Sequence, residues 1–219
     1  MKPKNKLAAS LGAFLRGLCD LMILNILWAL CCIPVFTVGP ACSALSRVSV
    51  NLVRDESSSI LKEFFLSFRR DFGKAVVLGL IGLFGLAVVV SDFLFAVSLE
   101  GAMKVVFLIV AVVVSSFVAS YLAYVFPLHA FYVNSLSGHI KNALALASTS
   151  PMETLKIWIC FAVPVAVFFL LPAVAAAYLG SLYILFGVSA PAYFAAKQQT
   201  KVIARFDSAW EAVDEETED

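Results

Sequence analysis

Residues 157–196 run for 40 positions without a charged side chain, and residues 21–46, 75–98 and 105–127 come close, with Asp92 the only charge among them. A bilayer core about 30 Å thick takes roughly 20 apolar residues of helix per crossing. Such lengths, in a chain that is 62% hydrophobic and 14% charged, exclude a water-soluble globule. The predicted class is all-α, a polytopic integral membrane helical bundle. Residues 157–196 are too long for one crossing and suit two, turning near Tyr178 to Ser181.

Loop charge orders the crossings, because Lys and Arg accumulate on the cytoplasmic side. A thread of five crossings leaves 11 bases inside and 5 outside. If the chain instead turns at Gly39-Pro40 and returns, 14 bases lie inside, Lys104 alone lies outside, and Arg47 sits within the return helix. Six crossings are therefore expected, at about 18–36, 38–53, 75–98, 104–127, 155–176 and 180–196, in one membrane domain, 1–206. Both termini are cytoplasmic in this thread. The return helix is short, since 16 residues reach only about 24 Å. Lys2, Lys4, Lys6 and Arg16 before the first run imitate a secretory signal, but Asp20 and Asn25 within it argue for a retained segment. Residues 207–219 carry seven acids and no base and are expected to form an acidic tail without fixed structure.

Two further segments are expected at the cytoplasmic face. Residues 60–74 place Leu61, Phe64, Phe65, Phe68 and Phe72 on one stripe, with Arg69 and Arg70 off it, as an interfacial helix or docking face would. Residues 197–210 group Val202, Ile203, Phe206 and Trp210, a face for membrane or partner. Ser150-Pro151-Met152-Glu153 has the pattern of a helix start.

Ionisable groups inside a bilayer mark function or pairing. Ser43, Arg47, Asn51 and Arg54 recur on one face of the return helix. Asp20 comes to a similar depth and is the expected ion-pair partner of Arg47. With Asn25 and Asn51 they form an intramembrane polar cluster, either a structural lock or a solute contact. Pro34, Gly39 and Pro40 are expected to form the hinge or turn. Gly79, Gly82 and Gly85 make a smooth strip for close helix packing. His129 and His139 read as surface capping contacts. Cys19, Cys31, Cys32, Cys42 and Cys160 lie in apolar runs without a C-x-x-C pair and read as packed thiols. No metal site or cofactor is expected, and no hydrolase, zinc-protease or nucleotide-binding motif is present. The basic loops adjoin spans, so nucleic acid is not an expected partner.

The segment from Asn25 through Trp28, Pro34, Gly39 and Pro40, followed by Arg54-Asp55-Glu56 and FFLSFRRDFGKA, resembles the YesL-like family of bacterial integral membrane proteins. Phe126-Pro127-Leu128-His129-Ala130 and Lys141-Asn142-Ala143 agree with it. The resemblance implies a multi-pass protein of the bacterial cell membrane. Family members sit beside genes for carbohydrate importers of the ATP-binding-cassette type, so it also implies a link to sugar uptake, with importer subunits as partners. The expected function is a non-enzymatic accessory or assembly partner of such an importer. A small-solute transporter or channel is the alternative, and oligomerisation is left open.

Overall fold

The computed structural model describes residues 6–56, 59–170, 180, 183 and 185–218, with side chains for 11–56, 59–167, 180, 183 and 185–205. Every regular element among them is helical: α1 (Lys6–Cys31), a 3-10 turn (Val35–Thr37), α2 (Val38–Arg54), α3 (Ile60–Arg69), α4 (Phe72–Ser98), α5 (Gly101–Phe131), α6 (Leu136–Thr149), α7 (Pro151–Leu170) and α8 (Ser189–Glu218). Among the described residues three helices are long and apolar enough to cross a membrane: Leu11–Cys31, Phe72–Ser98 and Gly101–Phe131. Leu136–Thr149 and Pro151–Val167, bent 104° at their junction, qualify together as a fourth.

The outward faces of these helices suit lipid. Phe84, Leu94, Ile109 and Phe117 are each at least 60% exposed, and apolar surface on this scale needs a non-aqueous cover. The hydroxyls on the same helices bond to their own backbone, Ser91 to Ala87 O at 2.9 Å, Ser115 to Val112 O at 2.9 Å and Ser116 to Val113 O at 2.7 Å. In lipid such internal satisfaction is required, because no water is there to supply it.

α4 and α5 form a hairpin through Gly101, whose φ of +63° suits a residue without a Cβ. A Cβ on Gly82 would lie 2.8 Å from Leu122 Cδ2, and one on Gly85 3.2 Å from Val118. These glycines let the helices approach closely, as the strip of small residues predicts. Tyr121 donates to Leu78 O at 2.7 Å near the base, and Phe95 meets Phe107 at 5.1 Å near the tip.

Gly79, the third glycine of the strip, serves another contact. A Cβ there would come within 2.5 Å of Gly39 Cα, and one on Gly39 within 1.9 Å of Ala75 O. The start of α2 is thus pressed backbone to backbone against the first two turns of α4. The rest of α2 faces the last turn of α5, through Ser43 to His129 and Arg47 to Ala130. α2 therefore packs at the base of the hairpin, and about 28 Å of α4 beyond Gly79 extends past it. Residues 38–53 do form a helix, but it does not run beside α4 toward the tip as a full return crossing would. Two residues expected at the turn are also relocated. The break spans residues 32–37, with Pro34 ahead of the 3-10 turn, while Gly39 and Pro40 are buried in the first turn of α2. Proline is tolerated there because first-turn N–H groups have no intrahelical acceptor.

The expected 60–74 helix breaks at Arg70-Asp71, where Asp71 takes φ 45°. α8 continues the expected 197–210 helix without interruption from Ser189 to Glu218, so the acidic tail expected without structure is helical through Glu218. The fifth and sixth expected crossings fall partly outside the described residues.

Candidate functional site

The polar residues converge on helix ends at the base of the hairpin. α2 is amphipathic: Ala44, Leu45 and Val48 pack with Leu24, Phe64 and Ala192. Its other side turns Ser43, Arg47 and Arg54 toward α5. The last four carbonyls of an α-helix lack intrahelical donors, and Ala130 O is one of them. Arg47 Nη1 donates to it at 2.6 Å and Arg70 Nη1 at 3.1 Å. Arg47 and Arg54 also lie over the Phe131 ring, at 5.3 and 5.4 Å from its centroid. Cations at a helix C-terminus complement its dipole, so the two arginines close α5 electrostatically as well as sterically.

The same logic accounts for the other members of the expected cluster. Asn25, 3% exposed in α1, accepts through Oδ1 from Val188 N at 3.0 Å and Ser189 N at 2.9 Å. It caps the N-terminus of α8 from another helix, doing what a local N-cap residue ordinarily does. Asn51 Nδ2 donates to Glu63 Oε2 at 3.1 Å and ties α2 to α3. Thr37 Oγ1 donates to Cys31 O at the end of α1. Asp20 behaves differently. No ion pair joins it to Arg47, and the structure does not bring the two together: the guanidinium is drawn to the free end of α5 instead.

The expected docking face is divided. Ile60, Phe64 and Ser67 are buried on the inner side of α3, and Phe68 packs against the same cluster beneath α1 and α2. Leu61, Phe65 and Leu66 are exposed at 53%, 42% and 66%, with Arg69 beside them. Phe64 and Phe68 turn inward because the apolar side of α2 needs cover. Arg70 leaves the face for Ala130 O. On α8, Val202 and Ile203 are buried, Val202 within the cluster of Tyr124, Leu146 and Ile157, so this part of the expected tail face is used internally. Phe206 and Trp210 lie outside the described side chains.

Two features escape a reading of sequence. Pro127 has no N–H, so Ala123 O loses its partner within α5. Gln199 Nε2, buried on α8, donates to that carbonyl at 2.7 Å. The signal is present in the spacing, since Ala123 lies four residues before Pro127, but nothing local names the distant donor. The second is a histidine pair. His129 and His139 are 3% and 2% exposed, with ring centroids 5.4 Å apart, and Ser43 Oγ bonds His129 Nδ1 at 2.9 Å. Among the described residues no three His, Cys, Asp or Glu side chains group as a metal site would require.

Burial, then His129 and Lys74, push the His139 imidazole down to about 4, against a smaller opposing pull from Asp71. A base whose folded value lies below its unfolded value near 6.5 favours folding fully above 6.5 and loses that stability as pH falls toward 4. Thermal unfolding in detergent is expected to move to lower temperature on acidification across this window. His139→Gln is expected to flatten that dependence.

No curated protein and no solved structure matches the chain. Residues 21–93, from within α1 through most of α4 and including Asn25, Gly39, Arg47 and Arg70, match the model of the family described as "Protein of unknown function, DUF624".

Proposed function

We propose that this chain is a non-enzymatic, multi-pass protein of the bacterial cell membrane that acts as an accessory or assembly partner in carbohydrate uptake. The observation that carries the non-transporter part is how the polar groups are used. Asn25, Arg47, Asn51 and Gln199 each bond a backbone end, a freed carbonyl or a neighbouring helix. A sugar path needs donors and acceptors presented to solute hydroxyls, since buried polar groups must be paired. The link to sugar uptake rests on the resemblance to the YesL-like family.

In this reading both termini and the basic loops are cytoplasmic, and six membrane-embedded segments keep that orientation. α1 and α2 enter and leave on the inner side as a re-entrant pair, which preserves the charge bias of 14 bases inside against one outside. The exposed Leu61, Phe65, Leu66 and Arg69 of α3 offer the partner a mixed apolar and basic face.

The test is affinity purification in mild detergent from the native host grown on a glycan. Importer subunits of the ATP-binding-cassette type are expected to copurify, and Phe65→Asn with Arg69→Glu to reduce them. A lone oligomer that moves labelled sugar into liposomes would overturn the proposal in favour of a transporter.

A further inference from the structure

A cavity of about 400 Å³ opens beside α3, lined by Arg47, Leu66, Ser67, Arg69 and Arg70. Three arginines line it, Arg47 from α2 and Arg69 and Arg70 from the end of α3, and no acidic residue does. Arg47 and Arg70 are held side by side because both donate to Ala130 O. Each guanidinium carries five N–H donors, so both keep others for a ligand. Of the nearby acids, Glu63 bonds Asn51 at 3.1 Å and also attracts Arg47 from outside the cavity lining, while Asp71 pairs with Lys74 at 3.9 Å. The ion pairs among the described residues, Lys74 with Asp71 and Arg205 with Glu153, leave out all three arginines.

Ser67 supplies an independent observation. It lines the same cavity, is 2% exposed, and its Oγ has no hydrogen-bond partner among the described residues. A buried hydroxyl without a partner is unfavourable and rare. An oxyanion seated among the arginines would accept from it and complete its bonding.

We infer that this cavity is a binding site for a phosphate group. Planar guanidinium forks match the paired oxygens of phosphate, and several of them converging favours it over a singly charged carboxylate. Leu66, 66% exposed, sits at the lining with Phe65 beside it in sequence. A phospholipid headgroup could therefore enter with its acyl chains against α3, and a soluble phosphate ester could enter from the aqueous side. Both sources share the oxyanion chemistry.

The experiment uses the full chain, purified in non-ionic detergent without phosphate. One arm measures binding to nanodiscs of phosphatidylglycerol against phosphatidylcholine. The other measures binding of inorganic phosphate and glycerol 3-phosphate by calorimetry. Ser67→Ala and Arg69→Gln alter a hydroxyl and a guanidinium that make no hydrogen bond among the described residues, so both are expected to fold with unchanged melting temperature. Each is expected to weaken binding about tenfold, the effect of losing one hydrogen bond worth about 1.4 kcal/mol. Binding in the first arm alone assigns a lipid headgroup, and in the second a soluble phosphate. Binding in neither, or binding that both variants leave intact, overturns the site.

Discussion

Gly39→Ala is expected to lower the stability of the protein by about 3 kcal/mol, the upper part of the range for overpacking a close contact. The added methyl would stand 1.9 Å from Ala75 O and 2.9 Å from Gly79 Cα. Both obstacles are backbone, so no side chain can rotate away, and α2 must separate from α4. Gly79→Ala meets the same contact from the other side, 2.5 Å from Gly39 Cα, and is expected to do similar damage. The double variant should lose less than the sum, because the first substitution already parts the helices. Gly73→Ala is the control: it lies in α4 with nothing within 4 Å of its Cβ. Replacing an unobstructed helical glycine should be neutral or stabilise by roughly 0.5–1 kcal/mol. Thermal unfolding in detergent, read with monodispersity on gel filtration, separates these outcomes.

Asn25→Leu is the second large effect. It removes the acceptor of Val188 N and Ser189 N while keeping the branched outline of the side chain, in a larger residue. Two N–H groups at the start of α8 would then be left without a partner in an apolar setting, a loss of about 3 kcal/mol at 1–3 kcal/mol for each. Asn25→Asp keeps the oxygen and places negative charge at a helix N-terminus, where the dipole favours it. It should retain most of the stability in the same melting experiment. Equal loss in both variants would mean that Asn25 matters for something other than this cap.

What the sequence disclosed, and what it withheld, follows from the range of the forces involved. The apolar runs announce α1, α4 and α5 because membrane solvation acts on every residue of a helix at once. The spacing of Ser43, Arg47, Asn51 and Arg54 announces a helix with one polar face, and α2 has it. The partner of that face is not legible in sequence. Opposite charge at similar depth points Arg47 to Asp20, whereas the structure gives it the unsatisfied carbonyl of Ala130. A helix end attracts a cation through its partial negative charge and its free carbonyls, but its position depends on tertiary packing. By sequence Gly39 belongs to the turn, because the Gly39-Pro40 pair interrupts an apolar run. Its use here, as a seat for Gly79, needs a contact 40 residues away in sequence. Phe64 and Phe65 are adjacent and chemically identical, so only the placement of Leu24 and Val48 decides which one is buried. The histidine pair was hidden for the same reason, since its rings meet only when α6 folds back along α5.

α2 packs at the base of the α4–α5 hairpin and uses its polar face to close helix ends there, and a full crossing to the far side would place it elsewhere. Labelling of single cysteines tests this directly, in a chain with Cys19, Cys31, Cys32, Cys42 and Cys160 replaced by serine or alanine. Intact cells would be treated with a membrane-impermeant maleimide, with one cysteine at Glu100→Cys on the hairpin tip or at Phe36→Cys in the turn before α2, where the native side chain is 55% exposed. Labelling is expected at position 100 from outside, and at position 36 only after the cells are opened. Labelling of position 36 from outside, at a rate like that of position 100, would contradict this placement of α2.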